Sequence, residues 1–130
     1  MKEKKMSFYT PEEFQKFLSV ENDVEFICAF QTLFYCGLRN GELRGLTWND
    51  ITFKKSCLSV NKNITKTPDP ITGKPYTLSI SKTMSSYRTI PIPNFLLEYY
   101  KIYMMNVVLT ITSMIIGIYL VILIHYQKLL

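Results

Sequence analysis

Tyr35-Cys36-Gly37-Leu38-Arg39-Asn40-Gly41-Glu42-Leu43, with Leu46, Trp48, Asp50 and Ile51 close behind, is the stretch that decides how this chain folds. An apolar run through Val24, Ile27, Cys28, Leu33, Phe34 and Tyr35 approaches it in helical spacing and stops at Gly37. A glycine just past a helix adopts a left-handed conformation without steric cost and satisfies the last loose carbonyls, so Gly37 reads as a terminator. The chain must then turn sharply in front of Arg39. Asn40 to Gly45 has room for one or two helical turns, and Thr47 can cap a shorter turn through Trp48 and Asp50. The pattern predicts an arginine presented at a helix junction with a glutamate three residues later.

Working outward, Thr10-Pro11-Glu12-Glu13 is a helix start in which Thr10 caps, Pro11 takes the first helical position and Glu13 closes a capping box. Phe14, Phe17 and Leu18 then share one face, and Asn22 or Asp23 caps the second helix. Downstream, Thr52 to Thr65 interleaves Phe53, Cys57, Leu58, Val60 and Ile64 with polar residues, which suits a strand. Thr67-Pro68-Asp69-Pro70 and Thr72-Gly73-Lys74-Pro75 mark a loop. Tyr76, Leu78 and Ile80 alternate as in a half-buried strand, Ser85 and Ser86 lie in a turn, and Tyr87 to Ile92 makes a third strand that prolines end. A further helix starts near Pro93 or Asn94 with Phe95, Leu96, Tyr99 and Ile102 inward. The expected fold is α+β, mostly helical with a small three-stranded antiparallel sheet, plus a C-terminal apolar helix. Trp48 is expected in the core between helix and sheet, and Phe14, Phe17, Phe30 and Phe34 in the core as well.

At 130 residues and 15.2 kDa the chain has room for one small domain. Fifteen Lys and Arg against ten Asp and Glu give a charge of +5, a balance compatible with a polyanionic partner. Cys28, Cys36 and Cys57 are odd in number and lack Cys-x-x-Cys pairing, so they read as reduced thiols in apolar positions, with neither a disulfide framework nor a zinc site. The start, with Lys2, Glu3, Lys4 and Lys5, has no apolar core of a signal peptide. The excess of apolar residues lies after Lys101. From Val107 to Ile124, 18 residues run without a charge, the usual threshold for a membrane-spanning helix.

The run from Tyr35 to Ile51, taken with Ser81-Lys82-Thr83 and Tyr87-Arg88-Thr89-Ile90-Pro91-Ile92, resembles the first half of the catalytic domain of the tyrosine recombinases, the phage and conjugative-transposon integrase family. The resemblance implies a double-stranded DNA partner, action in the cytoplasm, multimers assembled on DNA, and no cofactor. Enzymes of this kind attack the scissile phosphate with a tyrosine hydroxyl and leave a 3′-phosphotyrosine. Charge grows on the phosphate oxygens, so guanidinium donors must be fixed in place. By this resemblance Arg39 matches the first catalytic arginine, Glu42 the acid that orients it, and Gly37 with Gly41 lets the backbone approach the phosphate. Lys82 matches the lysine that contacts the base beside the cut and protonates the leaving oxygen. Arg88 and Tyr87 match a basic, aromatic strand that touches the DNA backbone.

The resemblance covers roughly Phe8 to Tyr103. It divides the chain into a linker remnant at 1–9, a partial catalytic domain at 10–104 and an apolar tail at 105–130. The His-x-x-Arg box with the second arginine and the tyrosine nucleophile have no match: His125 with Lys128 copies the box's spacing, but a lysine cannot supply the guanidinium clamp, and Tyr126 is no nucleophile candidate. The expectation is a truncated, inactive integrase. A one-base frameshift near Met104 would account for the tail, and a membrane-anchored protein with a cytosolic recombinase-like part, or a regulatory DNA binder, are the alternatives.

Overall fold

The computed structural model describes residues 7–81 and 87–129, with side chains as far as residue 118. Helix α1 (Pro11–Leu18) begins with the expected reciprocal cap: the Glu13 N–H donates to Thr10 Oγ1 at 3.2 Å and the Thr10 N–H to Glu13 Oε2 at 2.8 Å. Helix α2 (Val24–Cys36) is capped by Asp23, which accepts the Glu25 N–H at 2.8 Å, and ends at Gly37 with φ 65°. A short α3 (Asn40–Gly45) and one 3-10 turn (Trp48–Asp50) follow.

The strands form a three-stranded and a two-stranded antiparallel sheet. Thr52 to Thr65 is not one strand: β1 (Ile51–Thr52) reverses through a turn in which the Ser56 N–H reaches Phe53 O at 3.3 Å and Ser56 sits at φ 52°. The chain returns as β2 (Cys57–Val60) and, after Asn61, continues as β3 (Lys62–Thr65). Sheet order is β1-β2-β5, with β5 (Arg88–Pro91), while β3 pairs only with β4 (Thr77–Ile80); every pairing is antiparallel. The alternating residues of β4 are not half-buried as expected, for Leu78 is 50% exposed and Ile80 69%. Among the described elements the principal contact of β4 is with β3, and its apolar side chains stay largely exposed.

Leu58 of β2 and Leu96 of helix α4 (Asn94–Leu129) are wholly enclosed, and Val60, Ile92, Leu97 and Tyr100 complete the centre of the core with Cys28, Cys36 and Leu38. Burying a leucine that fully contributes about 1.5–3 kcal/mol, so this centre does much to hold α2, the sheet and the start of α4 together. The inward face of α4 is therefore Leu96, Leu97 and Tyr100. Phe95 and Ile102, expected there, are 44% and 48% exposed. Phe95 instead lies edge-on to Tyr35, beside an aromatic group in which Phe14 stacks on Phe34 at 4.0 Å. Phe17 borders this group, 39% exposed and edge-on to Phe30. Trp48 is not buried between helix and sheet; it rests on α4 against Tyr103 at 5.6 Å and is 36% exposed.

Candidate functional site

Arg39 stands immediately before α3, its backbone extended at φ −76°, ψ 153°, and its side chain is exposed. Gly37 makes the turn that brings it there. The carboxylate of Glu42 fixes the position from behind: Glu42 Oε2 accepts the Arg39 backbone N–H at 2.9 Å. The same carboxylate is gripped by Arg88 of β5, whose two terminal nitrogens donate to Oε1 and Oε2, each at 2.9 Å. This is the fork-to-fork arrangement that makes arginine–carboxylate pairs directional. Those bonds hold the Glu42 carboxyl below its usual range against the opposing effect of burial, and the pairing raises Arg88.

Glu42 orients Arg39 by accepting its backbone N–H. Arg88, expected on the DNA, also gives its fork to Glu42 and so ties β5 to α3. Among the described residues nothing pairs with the Arg39 guanidinium, which is left available for an outside anion. Tyr87, next to Arg88, is 52% exposed.

Gly41 also has a packing role. A Cβ there would sit 2.8 Å from the Ile64 carbonyl oxygen and closer still to the Asn63 side chain, and one at Gly45 would meet Lys62 Cβ at 3.1 Å. The two glycines lie one turn apart and let α3 rest directly on β3. Below it Asp50, only 6% exposed, accepts from the Thr47 N–H and hydroxyl and from Asn61, and both its oxygens accept from the Lys62 ammonium, at 2.8 and 2.7 Å. Burial alone would raise the Asp50 carboxyl, but those hydrogen bonds together outweigh it and the net shift is downward. The capping pattern Thr47-x-x-Asp50 was visible in the sequence; the role of Lys62, twelve residues on, was not.

Lys82 lies outside the described residues, as do Ser85 and Ser86. The residues on either side of them are placed. The Ser81 N–H donates to Asn61 O at 2.8 Å, and Arg88 pairs with Val60. The two ends of the segment that carries Lys82 thus leave and rejoin the sheet at adjacent residues of one run, Asn61 and Val60, and one end is the arginine bound to Glu42. His125, Tyr126 and Lys128 have no described side chains.

Other reactive groups are poor nucleophiles. Burial pushes the Cys28 and Cys36 thiols up to about 11, and it also raises Tyr100, whose hydroxyl is bonded to Thr32. All three cysteines are free thiols, Cys57 half-buried. Among the described residues no group of three His, Cys, Asp or Glu side chains could hold a metal.

The phage integrase family matches residues 7–114. The chain is 35% identical to a tyrosine recombinase XerC-like protein of Caldanaerobacter subterraneus subsp. tengcongensis over 76% of its own length, and 34% identical to the ICEBs1 integrase of Bacillus subtilis over 73%. It spans about a quarter of each of these relatives, 26% and 25%. In structure it is similar to the Tn1549 transposon integrase solved in complex with transposon right end DNA, with a TM-score of 0.60 and 26% identity, covering 75% of this chain and 31% of that one. The same integrase with circular intermediate DNA gives a TM-score of 0.60 at 26% identity, covering 75% of this chain and 32% of that one.

Proposed function

Because the chain belongs to the phage integrase family, we propose that this 130-residue polypeptide binds double-stranded DNA through Arg39 and Lys82, as part of the apparatus of DNA integration and recombination in the cytoplasm, and that it does not break DNA by itself. The observation that carries this reading is the division of labour between the two arginines. Glu42 holds the Arg39 backbone and occupies the fork of Arg88, which follows the segment bearing Lys82, while the Arg39 side chain stays exposed. One guanidinium and one ammonium neutralise a phosphodiester in its ground state. Cleavage needs further donors on the developing charge and a positioned nucleophile. Tyr100 does not serve as that nucleophile, since it is buried and bonded to Thr32.

The DNA-contacting unit is residues 10–104, with 1–9 leading into it and 105–130 an apolar tail. The loss of burial beyond Tyr103 supports the second boundary. The solved Tn1549 integrase, similar over three quarters of this chain, was captured on DNA, which supports the partner.

The test is fluorescence anisotropy of the full chain on duplex DNA across a salt series. Affinity should fall with salt, and Arg39→Ala and Lys82→Ala should each make the logarithmic slope shallower by about one. A slope unchanged by Arg39→Ala would remove Arg39 from the interface. On a nicked suicide substrate the chain should give no covalent protein–DNA adduct; an adduct would overturn the claim of inactivity.

A further inference from the structure

We propose that the second half of α4, residues 107–124, is seated in a lipid bilayer, so that the folded part of the chain stands directly on a membrane surface. Helix α4 runs without interruption from Asn94 to Leu129. Its first turns are packed into the core, but Val108, Leu109, Ile111, Met114, Ile115, Ile116 and Ile118 are each more than half exposed. This helix is long and apolar enough to cross a bilayer, and none of its most apolar window is buried.

Three observations select lipid over a protein partner. First, at 100° per residue the apolar positions from Val107 to Ile118 spread over about 220° of the helix, more than the stripe of roughly 100° that a one-sided groove or a second copy would cover. Second, the polar side chains within the segment are uncharged, and the hydroxyls of Thr110 and Thr112 donate to the carbonyls of Asn106 and Val108, each at 2.8 Å. Such donors are satisfied without water, which the hydrocarbon region requires. Third, the 18 residues from Val107 to Ile124 rise about 27 Å, close to the hydrocarbon thickness of about 30 Å.

The collar around the point of entry has the matching character. Asp23 and Glu25 line a groove along α4 that reaches from Tyr103 past Val107 to Thr110 and Ile111, so this collar surrounds the first turn of the apolar stretch. Trp48 packs on Tyr103 at 5.6 Å, both partly exposed, as the amphipathic rings of a membrane–water interface are. The carboxylates in this collar favour zwitterionic headgroups over anionic ones. No loop separates the packed turns of α4 from the exposed ones, so the domain has no tether on which to move away from the surface.

The experiment is flotation of the full chain on a density gradient with phosphatidylcholine vesicles, after an alkaline carbonate wash, beside the double variant Ile115→Arg/Ile116→Arg. Both substituted residues are more than half exposed, and circular dichroism checks that the variant keeps its helices. The wild-type chain should float, and the variant should stay with the soluble fraction, a loss of most of the floating signal. A wild-type chain that stays soluble as a dimer, or that sinks as aggregate, overturns the proposal. So does equal flotation of chain and variant. DNA binding plays no part in this readout, so it stands or falls separately from the reading of Arg39.

Discussion

The two halves of α4 are one continuous helix with opposite surroundings. Over Asn94 to Tyr103 it has Leu96 fully enclosed, Leu97 and Tyr100 nearly so, and a hydroxyl tie from Tyr100 to Thr32 of α2. Over Met105 to Ile118 no side chain is buried. Both halves are strongly apolar, so hydrophobicity by itself says nothing about where packing occurs. What distinguishes the first half is that α2 and the sheet present shapes it fits. The second half has the same driving force, but among the described residues it meets the rest of the chain only across the groove that Asn22 to Glu25 form beside Val107, Thr110 and Ile111.

The largest effect that could break this contrast is a cavity. Leu96→Ala should cost about 4 kcal/mol in urea unfolding, because an enclosed leucine takes both its transfer energy and its contacts with it. Leu109→Ala, on the same helix but 58% exposed, should stay within about 0.5 kcal/mol in water. Equal losses would mean that the second half is packed after all.

Next in size is the buried charge of the packed region. Asp50→Ala should destabilise by about 3 kcal/mol, since it leaves the Lys62 ammonium, only 21% exposed, without its counter-charge and with Asn61 Oδ1 as its remaining acceptor, and leaves the Thr47 N–H unpaired. The pH dependence follows from the same groups. Asp50 and Glu42 have folded pKa values below their ordinary ones, so they bind fewer protons folded than unfolded near pH 4. Their stabilisation is complete above about pH 5 and drains away as the pH falls through their folded values. Chemical denaturation from pH 7 to pH 3 should show this decline, reduced in Asp50→Ala. The helicity of the α4 tail should not follow it, because no charged residue lies between Val107 and Ile124.

Gly41→Ala tests the contact of α3 with β3. The added methyl collides with the Ile64 carbonyl, which belongs to a paired strand and cannot swing aside, so about 2 kcal/mol should be lost. The same variant should weaken DNA binding, because α3 carries Glu42, which holds Arg39. Gly117→Ala, in the unpartnered half, has nothing within 4 Å of the new atom and should leave stability unchanged or improved.

How much of this was legible beforehand varies with the range of the interaction. The cap of α1, the Asp23 cap and the left-handed Gly37 are local, and Thr10-Pro11-Glu12-Glu13 and Tyr35-Cys36-Gly37 spell them out. The turn at Phe53–Ser56 was hidden because it contains neither glycine nor proline; Ser56 takes the left-handed position instead. The inward face of α4 was misplaced because Phe95, Leu96, Leu97, Tyr99, Tyr100 and Ile102 leave almost no polar residue to fix its phase. The role of Arg88 was illegible for another reason. Its partner Glu42 is 46 residues away, and an exposed arginine on a strand looks the same in sequence whether it meets phosphate or carboxylate.

The smallest effect isolates a buried polar link between α4 and α2. Tyr100→Phe removes the hydroxyl bonded to Thr32, yet the Thr32 hydroxyl still has the Cys28 carbonyl at 2.6 Å as its acceptor, so no buried donor is orphaned. The cost should be that of one ordinary hydrogen bond, about 1 kcal/mol. Thr112→Val removes a hydroxyl of the same kind from the second half, where its partner belongs to its own helix, and should change nothing measurable in water. A double variant that loses only what Tyr100→Phe loses would show that the halves of α4 are energetically separate despite their shared backbone. A larger loss would mean that order in the second half is transmitted into the core, and that the helix acts as one body.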